Sequence, residues 1–219
     1  MRSLLLVLFG WLLGLLAPAI QDRIRQKYRA GELRNAIKGE LNELKVRMAL
    51  VSYLMWHHLG PLTDDQLDWL QSVLQGYHGP LANPGSLEAI LSLRKLSESN
   101  RREIFIQRQS PGTGPYPKEY TAPFLAAHIG DLSVLPVPFQ VALLHIKGQI
   151  DVLNQHVVFI QKRHDKTFDT SLSEANRQAV LKDLRDGYGQ LAEMARRTAD
   201  AITSLGLNIW GTATRGSFA

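Results

Sequence analysis

From Leu4 to Ile20 the chain carries no charged and no strongly polar residue, and this constrains its fold more than any other feature. As a helix these 17 residues extend about 26 Å, slightly less than a hydrocarbon core of about 30 Å. Ser3 and Gln21 can prolong the helix into the interface, and Arg23 can snorkel, so the run is long enough to span. It also has the makings of a signal peptide. Arg2 supplies a positive start, Leu4 to Leu16 an apolar stretch, and Ala17-Pro18-Ala19 an A-x-A cleavage pattern.

The flank decides between the two fates. Arg23, Arg25, Lys27, Arg29 and Arg34 follow the run, against only Asp22 and Glu32. Basic residues next to a membrane segment tend to stay in the cytoplasm. The expectation is therefore an uncleaved single-pass anchor over residues 1–21, bounded by Leu4 and Ile20. It sits in the cell inner membrane with its N-terminus outside and the rest of the chain in the cytoplasm. The alternative is cleavage and a periplasmic protein. Gly10 and Gly14 form a G-x-x-x-G pair, a spacing that lets two membrane helices approach closely, which makes them a candidate dimer seam.

Composition narrows the function classes. Cysteine is absent, which excludes a disulfide scaffold, a thiolate nucleophile and cysteine metal sites. The net charge of +5 is modest, and its clearest concentration lies beside the apolar run, so nucleic acid is a poor fit as partner. The expected partners are the bilayer, anionic lipid headgroups attracted to Arg23, Arg25, Lys27 and Arg29 at about 1 kcal/mol per charge, and a second copy or another membrane protein.

The remainder, residues 22–209, reads as an all-α bundle. Ile24, Tyr28, Leu33, Ile37, Leu41, Leu44, Met48, Val51 and Met55 recur mostly at steps of three and four, one stripe of a long helix stopped by Gly60-Pro61. Thr63 and Gln66 form a capping box for a helix with Leu67, Leu70, Val73 and Leu74 on its apolar face. Ser86 is the expected cap of a third helix, and "IFI" at 104–106 fits a helix better than a strand without partners. Prolines and glycines make 110–123 a loop, and Pro138 begins the next helix.

That helix carries the strongest pattern: Phe139, Leu143, Ile146, Ile150, Leu153, Val157 and Ile160. A final helix, capped by Ser171 with Glu174, answers it with Leu181, Leu184, Tyr188, Leu191, Ala195, Ile202 and Leu205. The short connection between the two predicts antiparallel packing. Gly187 and Gly189 are expected to mark close approach of a neighbour, and 210–219 is expected to be a frayed tail.

Catalytic motifs are missing. No H-E-x-x-H, E-x-x-H or G-x-S-x-G is present, and Gly112-Thr113-Gly114 lacks the G-K-[ST] ending of a phosphate loop. The sequence therefore calls for no cofactor, no metal and no catalytic residue. His145, Asn154 and His156 form the one polar group on the best-patterned helix. As a network they would fix register or receive a ligand, but their offset from the apolar stripe favours solvent. The resulting expectation is a membrane-anchored, non-catalytic scaffold or interaction protein. The alternatives are an exported sensor with a ligand between helices and a membrane-tethered enzyme.

Overall fold

The computed structural model describes residues 2–81, 84–108 and 114–210, and the backbone alone for 2–10, 12–13, 15–16, 19, 84, 108 and 207–210. The chain is all-α, with no strand among the described residues. Helices α1 (Arg2–Leu59), α6 (Val137–Lys166) and α7 (Glu174–Trp210) are the long elements. Shorter ones lie between: α2 (Asp64–Gln75), α3 (Pro84–Arg94), α4 (Glu98–Arg108), α5 (Pro123–Ala127) and a 3-10 turn at Ile129–Val134. The expected tail at 211–219 and the loop residues 110–113 lie outside the described residues.

α1 is one helix from end to end, yet only its second half belongs to the core. Its stripe is buried from Leu33 through Ile37, Leu41, Leu44, Met48, Val51 and Met55. The first members of the predicted stripe do not take part: Ile24 is 49% exposed and Tyr28 71%. Among the described residues no other element reaches back far enough to cover them. The helix stops at Leu59 as expected, with the Gly60 N–H bonded to Trp56 O at 3.0 Å before Pro61 ends the pattern.

α2 begins with the predicted capping box: Gln66 N–H donates to Thr63 Oγ1 and Thr63 N–H to Gln66 Oε1. Leu67, Leu70 and Val73 are buried. Two predicted caps are corrected. α3 starts at Pro84, so Ser86 lies inside its first turn. In α7 the cap is Ser173, whose Oγ accepts from Asn176 N–H, while Ser171 bonds Asp169 instead.

Hydrogen bonds set the topology. Ser52 Oγ donates to Ala192 O at 2.9 Å and Arg185 to Leu59 O, so α1 and α7 run antiparallel. His156 meets Gly187 O at 2.9 Å and Arg163 meets Asp183, so α6 and α7 are antiparallel as predicted. α1 and α6 therefore run parallel on either side of α7. All seven residues of the α6 stripe are buried, a gross apolar contribution of roughly 10–20 kcal/mol. A Cβ at Gly187 would stand 3.2 Å from Ile160 Cγ1, so this glycine does mark close approach, whereas at Gly189 the nearest atom is 3.7 Å away and no special fit is needed. α2 docks on this frame through a T-shaped Trp56–Trp69 pair, with Arg196 over both rings and 2.8 Å from Asp65.

Candidate functional site

Three features stand outside the ordinary core: the projecting half of α1, a strap laid between α1 and α6, and a groove on the outer side of α6 and α7. The first follows from helix geometry. From Arg2 to Leu33 the axis advances about 46 Å before the stripe becomes buried. Trp11 is 66% and Ile20 53% exposed, and Arg23, Arg25, Lys27 and Arg29 are exposed too. A Cβ placed on Gly14 or Gly31 would meet nothing within 4 Å. Pro18 sits inside the helix, where it removes one backbone donor. Among the described residues no helix is long and apolar enough to cross a membrane. The side chains of Leu4, Gly10 and most of the run up to Ala19 lie outside the described residues.

The strap is residues 114–135. It descends between the parallel helices, fixed by side chains that bind its backbone. Tyr188 Oη donates to Pro115 O at 2.9 Å and Gln161 Nε2 to Pro117 O at 2.9 Å. Asn154 takes both polar groups of one residue: Tyr120 N–H donates to Oδ1 at 2.9 Å, and Nδ2 donates to Tyr120 O at 2.7 Å. Glu40 then accepts from Phe124 N–H and Leu125 N–H at 2.7 and 2.8 Å, satisfying donors at the start of α5. Ahead of α5 the strap is extended and lacks the regular backbone partners of a helix, so a buried amide there needs a side chain of this kind.

The upper end of the strap is close-fitting. Gly114 has φ +88°, and a Cβ there would come within 2.5 Å of His58 Nε2 and 2.8 Å of Tyr188 Cε2. His58 and Tyr188 stack edge to face at 5.2 Å. Burial, then the charges of Arg185 and His57, hold the His58 pKa below its usual value, and burial raises those of the Tyr188 and Tyr120 hydroxyls.

The polar group predicted on α6 is thereby taken apart. Asn154 is half-buried, and it clamps the strap. His156 turns the other way to Gly187 O, and His145 is exposed and bonded to Gln149 at 3.1 Å. The three do not converge. Glu40, Gln161 and Tyr188 complete the clamp, and sequence offered no signal for the first two, because their partners are backbone groups far along the chain.

His145 instead borders the groove, an open cleft of ≈ 540 Å³ lined by Leu144, Gly148, Val152, Met194 and Arg197. Gln149 lines it too, and its buried Oε1 has no hydrogen-bond partner. Such a cleft suits an apolar chain with polar groups at its margin. No group of three or more His, Asp or Glu residues that could hold a metal ion occurs among the described residues. Compared with known proteins, the chain matches no family model, no curated protein and no solved structure.

Proposed function

We propose that this protein is a membrane-tethered helical platform: α1 inserts through Leu4–Ile20 and holds the bundle above the cytoplasmic face as an interaction module. The observation that carries the reading is that the first half of α1 leaves the bundle with Trp11 and Ile20 exposed, uncovered by any other described residue. In water that exposure is unfavourable, whereas a bilayer takes up the uncharged part at no such cost. Arg23, Arg25, Lys27 and Arg29 follow at once, where they favour the cytoplasmic side and anionic headgroups. From Ile20 to Leu33 the helix rises about 20 Å, so the bundle stands off the hydrocarbon on a basic stem.

A second reading, an exported ligand-binding domain, is favoured by Ala17-Pro18-Ala19 and by the groove beside His145. One experiment separates the two. The full chain is expressed in a bacterial host, fractionated, washed with carbonate, and its N-terminus and intact mass determined, with a reporter fused after Ala219. Tethering requires a chain that keeps residues 2–20, resists carbonate and reports from the cytoplasm. A soluble chain beginning at Ile20 overturns it.

A further inference from the structure

The exposed half of α1 has an ordered face. Ala17, Gln21, Ile24, Tyr28, Gly31 and Asn35 succeed one another at alternating steps of four and three, the spacing of a two-helix seam. Gly10 and Gly14 continue the series toward the N-terminus without a break. The face is free in the folded chain: Ile24, Tyr28, Gly31 and Asn35 are all exposed. It also lies opposite the core. At about 100° per residue, Gly31 and Asn35 fall about 160° on either side of Leu33, the first buried member of the stripe. Around Leu33 the bundle therefore occupies one side of α1 and leaves the other side open, until Ala49 and Trp56 bury that side further along the helix.

Charge identifies the occupant. We infer that this face pairs with the same face of a second copy of the chain, parallel and in register. With Tyr28 and Asn35 at a and Ile24 and Gly31 at d, each g residue meets the e residue five positions on in the partner. The stem then holds just three such pairs: Ile20 with Arg25, Lys27 with Glu32, and Arg34 with Gly39. The one pair in which both members are charged is attractive, although basic residues predominate in the stem. Arg23 and Arg29 fall at c and b, away from the seam. The two symmetric Lys27–Glu32 contacts and an Asn35 pair at an a position favour this register over any shifted one. An antiparallel arrangement would carry the two apolar runs to opposite ends, which one membrane cannot hold. Pairing covers Ile24 and Tyr28, which neither the bundle nor a bilayer would cover at that distance from Ile20.

The membrane half of the seam and the exclusion of an antiparallel pair rest on the tethered reading; the exposed periodic face of the stem and its Lys27–Glu32 pair do not. Because the chain has no cysteine, single-cysteine variants of the full protein test both. Ile24→Cys, Tyr28→Cys and Gly31→Cys are compared with Arg23→Cys, Gln26→Cys and Arg29→Cys by oxidative cross-linking in membranes. The first three should form homodimers several-fold more readily. Lys27→Glu should lower cross-linking through Ile24→Cys, and adding Glu32→Lys should restore it. A flat profile, indifference to Lys27→Glu, or products containing another protein or lipid contact alone would overturn the seam. Fractionation of the same samples keeps the two conclusions apart. A carbonate-resistant chain with a flat profile removes the seam and leaves the tether, whereas a soluble chain with the periodic profile does the reverse.

Discussion

Replacing Asn154 by alanine removes both hydrogen bonds that hold Tyr120 in the strap, at 2.9 and 2.7 Å. Each such bond contributes about 0.5–1.5 kcal/mol net, and a buried group left without a partner costs more. Asn154 and Tyr120 are both partly exposed, so water can take up some of the loss. The expected destabilisation is therefore about 2 kcal/mol, which for a domain of this size lowers Tm by roughly 4–8 °C. Thermal unfolding of the full chain followed by circular dichroism reads the magnitude, and hydrogen exchange at the Tyr120 amide reads the site. Gln155→Ala, at the exposed neighbouring position, is the control and should stay within about 0.5 kcal/mol. If Asn154→Ala matches that control, or the Tyr120 amide exchanges no faster, then Asn154 faces solvent in effect and the clamp argument fails.

Gly114→Ala should lose about 2 kcal/mol or more in denaturant titration, because it combines positive φ with a clash against His58 and Tyr188. His58 carries the pH dependence: its folded pKa lies below its ordinary value, so its contribution is complete above about pH 6.5 and is lost as pH falls from there toward the folded pKa. His58→Gln should flatten that acid limb of a stability–pH profile; an unchanged limb would assign it to other groups. Changing Arg23, Arg25, Lys27 and Arg29 together to glutamine should move a reporter after Ala219 out of the cytoplasm in a measurable fraction of molecules. Asp64→Asn leaves the buried Arg101 guanidinium without the carboxylate 2.7 Å away. It should cost about 1–3 kcal/mol in urea unfolding despite the exposure of Asp64.

Some of the site was legible in residue order alone. The α6 stripe and the Thr63 box are set by neighbours three or four residues apart, which periodicity reports directly, while Gly60-Pro61 marks the helix end at Leu59 and a short connection the antiparallel α6–α7 pair. The same is true of the uncharged run and its basic flank. Ser171 and Ser86 show where local reading slips, since several serines stand near each helix start and only the backbone bend selects one. The clamp made by Asn154 was not legible. Its partner, Tyr120, is 34 residues away, and a position off the apolar stripe looks solvated until the strap is laid over it.

What the sequence by itself determined is therefore local and periodic: helices, their apolar faces, their ends, and an uncharged run followed by a basic flank. The tertiary structure decided which faces are covered. Ile24 and Leu33 belong to one predicted stripe, yet the core takes up the stripe only from Leu33 onward, because among the described residues no other element extends beside the start of α1. Burial is a property of what arrives from elsewhere in the chain, so periodicity can propose a face but only packing can fill it.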